Sequence, residues 1–258
     1  SSYEPTDADP TPTITGLTGG TFSGTTGLVI NSTTGEIDLS ATTVATHTIT
    51  YDTTSSGSSV CPNTSTQTVE IAVAGIANNY SMSFDGINDY LSFDLEISNN
   101  TVTYSFWAKS SKTGYQTIID FNPSGGTGKG LSVSTGGFNV EANIGGNTTP
   151  TIYRDGSVVR TAGSSKGTSE FLSDGNWHHY VLSGLTFGGN FTKAIIGAAH
   201  STPPILYYQG EFDEIGIWDT ALTSTQVSEI YNATSTGKTA DLSTISSNNL
   251  KYWNRLGD

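Results

Sequence analysis

Two aspartates and an asparagine fall within one short segment, DGIND, at Asp85, Asn88 and Asp89. Hard divalent cations take about six to eight oxygens, and a turn of this composition offers carboxylates, a carboxamide and backbone carbonyls within a few ångströms. The spacing therefore points to calcium, with Asp85 and Asp89 as ligands. Asp and Asn also bond the N–H groups of their own turns, and nothing here has the specificity of an EF-hand loop. The residues alone leave both readings open.

Other chemistry-bearing patterns are weaker. His178 and His179 are adjacent, and neighbouring residues of a strand point to opposite faces, so the two cannot serve one site; one is expected in the core beside Trp177 and the other in solvent. GSSKG at 163–167 matches a nucleophile elbow, but Ser165 has neither the preceding strand nor the following helix that the elbow needs. GGTGKG at 125–130 lacks the Ser or Thr after Lys129 that a phosphate loop requires, and reads as a turn.

The elements that must position these groups are strands. Only 13% of residues are charged, Thr, Ser, Gly and Asn dominate the remainder, and this is the balance of a β-rich protein with many turns. A formal charge of −13 and an isoelectric point near 4.4 repel phosphate backbones and anionic membrane surfaces, so nucleic-acid binding is not expected. Cys61 is the single cysteine, which leaves no intrachain disulfide. No apolar run approaches the roughly 20 residues that cross a bilayer, and membrane insertion is not expected.

The chain divides by pattern. Residues 1–11 carry three acidic residues and two prolines and read as a linker or arm. Residues 12–75 hold short alternating strands marked by Ile14, Leu28 with Ile30, Ile37 with Leu39, His47 with Ile49 and Tyr51, and Val69 with Ile71 and Val73. Residues 79–233 hold longer ones, including Val102, Tyr104, Phe106 and Ala108. One helix is expected after Thr223, which can cap it while Gln226 completes a capping box. Residues 234–258 read as a linker or the start of a further module.

Three blocks carry a resemblance: FDGINDY at 84–90, DGNWHHYVL at 174–182 and GEFDEIGIWDTALTSTQVSEIY at 210–231. In this order they resemble the start, late middle and end of a laminin-G-like, concanavalin-type jelly roll. The stretch GLVINSTTGEIDLSATTVATHTITYDT resembles the Ig-like or cadherin-like repeats of marine bacterial surface proteins and tailed-phage structural proteins. The resemblance implies an all-β chain, a small Ig-like sandwich followed by a jelly roll with one short C-terminal helix. It also implies that the first and last strands of the jelly roll are neighbours, which would bring Asp213 toward Asp85 and Asp89 as a third calcium ligand.

Relatives of that kind mostly bind glycans or proteins. The expected function is thus non-catalytic adhesion or recognition on a cell surface or virion, outside the cell, with the first module as spacer. A purely structural virion subunit, binding virion proteins or copies of itself, is the alternative. Glycan binding needs exposed aromatic faces with polar neighbours, and Tyr115, Tyr153, Tyr207 and Tyr208, with Asn122, Asn139 and Asn147, are candidates near expected loop ends. Tyrosine also serves as half-buried filler in sheets. EFDEIG resembles the acidic motif of laminarinase-like glycosidases, yet a retaining glycosidase needs two carboxylates about 5 Å apart across its substrate. Alternation places Glu211 and Asp213 on one face and Glu214 on the other, so catalysis is not expected.

Overall fold

His47, Ile49 and Tyr51 alternate with Thr46, Thr48 and Thr50, and this two-residue period makes one face apolar and the other hydroxyl-rich. The same logic, repeated along the chain, produces a protein that is mostly strand with a single α-helix among its described residues. The computed structural model describes residues 1–54, 63–72, 75–97, 101–121, 129–134, 137–142, 150–164, 169–186, 191–199, 204–233 and 238–256. Cys61, Asn122, Asn147, Ser165 and most of 125–130 lie outside the described residues. The chain forms two compact units, 1–76 and 77–258.

Unit 1 is a four-stranded sheet of β1 (Ser2–Tyr3), β2 (Thr21–Gly24), β3 (Ala45–Asp52) and β4 (Thr64–Ile71), in the order β1-β4-β3-β2. Its core gathers Ile37, Leu39, Val69 and Ile71, with Leu28, Ile30 and Tyr3 packed against them. Residues 1–11 are not a free arm. Tyr3 pairs in parallel with Ile71, Pro10 accepts a bond from the Ile37 N–H at 3.1 Å, and Asp9 Oδ1 accepts one from the Leu39 N–H at 2.9 Å. The acidic, proline-bearing composition hid these main-chain pairings, which require few apolar side chains. Ile14 marks no strand and is exposed.

The short strand β5 (Gly75–Ala77) crosses the boundary, and unit 2 follows with β6 (Met82–Asp85), β7 (Leu91–Ile97), β8 (Thr101–Lys109), β9 (Gln116–Asp120), β10 (Lys129–Ser134), β11 (Gly137–Ala142), β12 (Thr151–Arg154), β13 (Ser157–Arg160), β14 (Trp177–Thr186), β15 (Phe191–Ile196), β16 (Gln209–Trp218), α1 (Ser224–Asn232), β17 (Lys238–Ala240) and β18 (Leu250–Asn254). One sheet runs β13-β12-β14-β8-β16-β18, with β6 also on β16, and the other runs β11-β10-β9-β15-β7. Their inner faces meet through aromatic rings. Phe106 of the first sheet packs edge-on to Phe138 of the second at 6.4 Å, and Tyr252 stacks on Phe93 at 3.9 Å. Offset and edge-on pairs of this kind add to what burial alone contributes.

One edge of β16 lies against β8 along Glu211–Trp218, while its other edge is shared end to end by β6, opposite Gln209–Phe212, and β18, opposite Ile215–Trp218. The opening strand of unit 2 is thus beside a late one. The tail, expected to be a linker or the start of a further module, contributes β18 to the sheet of unit 2; its polar composition concealed one inward aromatic, Tyr252, which stacks on Phe93 of β7. Between the two half-edges the register slips at Asp213–Gly216. Phe212 and Ile215 both face the core, three positions apart, as a β-bulge demands.

Helix α1 begins as its sequence indicates. Thr223 Oγ1 accepts the Gln226 N–H at 3.3 Å, and Gln226 Oε1 accepts the Thr223 N–H at 2.9 Å. Val227 and Ile230 are its buried side. Thr223→Ala is expected to destabilise unit 2 by about 1 kcal/mol, read as a lower urea midpoint with an unchanged slope.

Candidate functional site

Strand register carries Trp177, Lys109 and Glu211 into one row across β14, β8 and β16. Alternation turns all three away from the core, because Phe106, Ala108, Tyr180 and Phe212 take the inner positions. Lys109 Nζ is 2.8 Å from Glu211 Oε1 and 6.0 Å from the centre of the Trp177 ring. Ser81 Oγ donates to Glu211 Oε2 at 3.1 Å. The bond from Lys109 outweighs the opposing effect of burial and, with a lesser bond from Ser81, holds the Glu211 carboxyl below the usual range. Glu211 is therefore an ionised acceptor at neutral pH.

Beside this row a groove of about 340 Å³ opens at the end of the sandwich, lined by Lys109, Ser110, Ser111, Lys112, Gly175, Gln209, Gly210 and Glu211. Lys112 Nζ donates to the Tyr207 carbonyl at 3.1 Å, and the Ser173 hydroxyl donates to the Lys112 carbonyl at 2.9 Å, which fixes the loop. Gly210 is obligatory: its φ is +147° and a Cβ would lie 2.1 Å from the Lys109 carbonyl oxygen. An ammonium, a carboxylate, hydroxyls and a carboxamide converge here with an indole behind them. Such a set hydrogen-bonds a polyol or a peptide group from several sides.

Asp85 and Asp89 lie in the turn at this same end. Asp85 Oδ1 accepts the N–H groups of Ile87 at 2.7 Å and Asn88 at 3.2 Å, and Asp89 Oδ2 accepts the Asp85 N–H at 2.9 Å. Asp213 is elsewhere. Asp85 stands opposite Gln209, so Asp213 is four residues further along β16, or about 13 Å at the usual rise. Its oxygens accept from Asn78 Nδ2 at 2.9 Å and the Glu214 N–H at 2.8 Å. Among the described residues no three His, Cys, Asp or Glu side chains gather as a metal site. Asp85, Asp89 and Asp213 thus do not form one oxygen cage.

Of the tyrosines, Tyr115 is exposed and its hydroxyl accepts from Ser132 Oγ at 2.8 Å, while Tyr207 is half-buried beside the groove loop. Tyr153 is buried on β12. Tyr208 is wholly buried, stacked on Phe212 at 4.1 Å, and has no face for a ligand; its alternation partner across β16 is the core, which composition could not reveal. Asn139 is on β11, with its side chain outside the described residues.

The bulge changes the acidic motif. Strict alternation separates Asp213 from Glu214, but here both carboxylates accept from the one carboxamide of Asn78, Glu214 Oε1 at 3.0 Å. The backbone of Glu214 takes φ +46° to achieve this. The Glu214 side chain is buried and also accepts from Thr239 Oγ1 at 2.6 Å, Trp253 Nε1 at 2.8 Å and Arg255 Nε at 3.2 Å. It closes the gap between β6 and β18.

His178 and His179 separate as alternation requires. His178 Nδ1 is 2.7 Å from Asp155 Oδ2 and its Nε2 is 3.2 Å from Asp174 Oδ2. His179 is buried on the other face, with its ring near-parallel to Trp107 and Tyr231 and Nε2 2.9 Å from Ser105 Oγ. Burial lowers its pKa to about 4, only weakly opposed by the Asp155 charge. The row of Trp177, Lys109 and Glu211 was missed from sequence because it depends on the pairing of three distant strands. No helix among the described residues is long and apolar enough to cross a membrane. No protein-family model matches the chain, and no curated protein matches it.

Proposed function

We propose that unit 2 is a non-catalytic recognition module that holds a glycan in the groove lined by Lys109 and Glu211. The observation that carries this reading is the groove itself: about 340 Å³ in volume, with cation, carboxylate, hydroxyl and carboxamide groups lining it and Trp177 behind Lys109. Clefts of this size and mixed polarity suit small polar ligands. The two packed sheets are compatible with the concanavalin-type jelly roll implied by the resemblance of residues 79–233, and unit 1 with an Ig-like module. Such an assembly belongs on a cell surface or virion. The reading does not draw on calcium, since Asp85, Asp89 and Asp213 do not converge among the described residues.

A glycan array, probed with and without chelator, tests this. Chelator-insensitive binding is expected, weakened at least about tenfold in Glu211→Ala, a loss typical of a central contact. Binding abolished by chelator would reinstate the metal. Silence across the array, with a symmetric assembly seen by electron microscopy, would replace the reading with a structural virion role. Release of reducing sugar that disappears in Glu211→Gln would replace it with hydrolysis.

A further inference from the structure

Unit 1 has a groove of its own, of about 380 Å³. It lies on the face of the sheet that also carries the core. Along β4 the inward positions run Ile71, Val69, Gln67, Ser65, and along β3 the matching positions are Ala45, His47, Ile49 and Tyr51. The face is thus apolar and covered at one end. At the other it turns into carboxamide and hydroxyl over an aromatic floor and stays open, with Ser65 and Gln67 exposed.

That floor is ordered by its own contacts. Phe22 and Tyr51 pack at 4.6 Å between ring centres. The Tyr51 hydroxyl donates to the Leu17 carbonyl at 3.1 Å and accepts the Gly20 N–H at 3.0 Å, which holds residues 12–17 as one wall. On the opposite side the Thr53 hydroxyl donates to the Asn63 carbonyl and accepts the Asn63 N–H, both at 2.9 Å. None of the residues lining the groove is charged, in a chain whose formal charge is −13.

We propose that this groove binds a neutral sugar, so that unit 1 is itself a recognition module and not a spacer. Aromatic and aliphatic faces pack against the C–H surface of a sugar ring, while Gln67, Ser65 and Asn63 supply donors and acceptors for its hydroxyls. The uncharged lining neither recruits an ion nor leaves one unpaired, which suits a ligand without charge. A peptide is a poorer occupant. β3 is hydrogen-bonded on both sides, to β2 and β4, and on the outer edge of β2 the Phe22 N–H is already bonded to the Ser32 carbonyl at 2.8 Å, so main-chain pairing has little to take up at the groove floor.

The test uses the full chain and a panel of neutral and acidic oligosaccharides, with affinity measured by calorimetry. Gln67→Arg places a long cation on an exposed strand position, and circular dichroism checks that the fold persists. Neutral sugars are expected to bind with Kd below about 1 mM and to weaken at least about tenfold in Gln67→Arg. Ser65→Lys should have the same effect as Gln67→Arg. Neutral-sugar binding that is the same in both unit 1 variants as in the unaltered chain overturns the proposal and leaves the unit 2 reading in place. The absence of any neutral-sugar binding, or binding of uncharged peptides alone, overturns it as well.

Discussion

Glu214→Ala will destabilise unit 2 by about 2 to 4 kcal/mol, the consequence of removing a buried acceptor that several donors share. The carboxylate is 3% exposed, and without it the Arg255 guanidinium, the Trp253 indole N–H, the Thr239 hydroxyl and the Asn78 carboxamide lose a shared acceptor. The Thr239 and Asn78 donors, whose bonds to Glu214 are buried, carry the larger desolvation penalty. Tryptophan fluorescence reads the effect without interference, because Trp107, Trp177, Trp218 and Trp253 all belong to unit 2. Glu214→Gly should be milder than Glu214→Ala by about 1 kcal/mol, since glycine adopts φ +46° without strain. Equal losses in the two variants would show that the left-handed backbone stores nothing. A loss below about 1 kcal/mol in both would show that the network is not what secures this edge.

Acid will weaken the same unit through His179. The folded chain holds its pKa at about 4 against an ordinary 6.5, so between these values the unfolded chain binds the proton and the folded chain does not. The contribution is fully present above pH 6.5, falls as the pH drops, and is exhausted below about 4. Those 2.5 units correspond to about 3 kcal/mol. The cause is geometric: His179 is buried against Trp107 and Tyr231, and its Nδ1 has no hydrogen-bond partner among the described residues. His179→Phe keeps the stacked arrangement and removes the titration. Urea denaturation followed from pH 7 to pH 4 should therefore give a shallower decline in the variant. Parallel declines would assign the acid sensitivity to carboxylates instead.

Much of the fold was legible because its signals are local. Alternation in Val102–Ala108 and the Thr223–Gln226 pair each lie within one element, and each forms as the residues indicate. The histidine pair separates for the same reason. What could not be read depends on pairing between distant segments. Residues 1–11 and 250–254 look like linkers by composition, yet their value is in backbone groups and in two or three side chains that find partners far along the chain. The bulge at Asp213–Glu214 defeated the alternation rule at the one place where two half-strands meet. The Trp177, Lys109 and Glu211 row has no sequence spacing at all, since it exists only across three strands. The residue types of Asp85 and Asp89 describe a cation turn and a self-capped turn equally; the turn bonds its own backbone, and only strand register shows that Asp213 is not beside it.

The meeting of β6 and β18 at Glu214 has a mechanical consequence. Arg255 also donates through Nη2 to the Ala77 carbonyl, so the first and last portions of unit 2 are fastened to each other at one point on its rim. Tension applied between these portions reaches that fastening before it reaches the aromatic interior. Once it yields, β6 and β18 peel from β16 by their nearest hydrogen bonds in succession, a geometry that extends at lower force than the simultaneous shearing of a long strand pair. Under stretch, unit 2 would lengthen by shedding its rim while the layered centre stays folded.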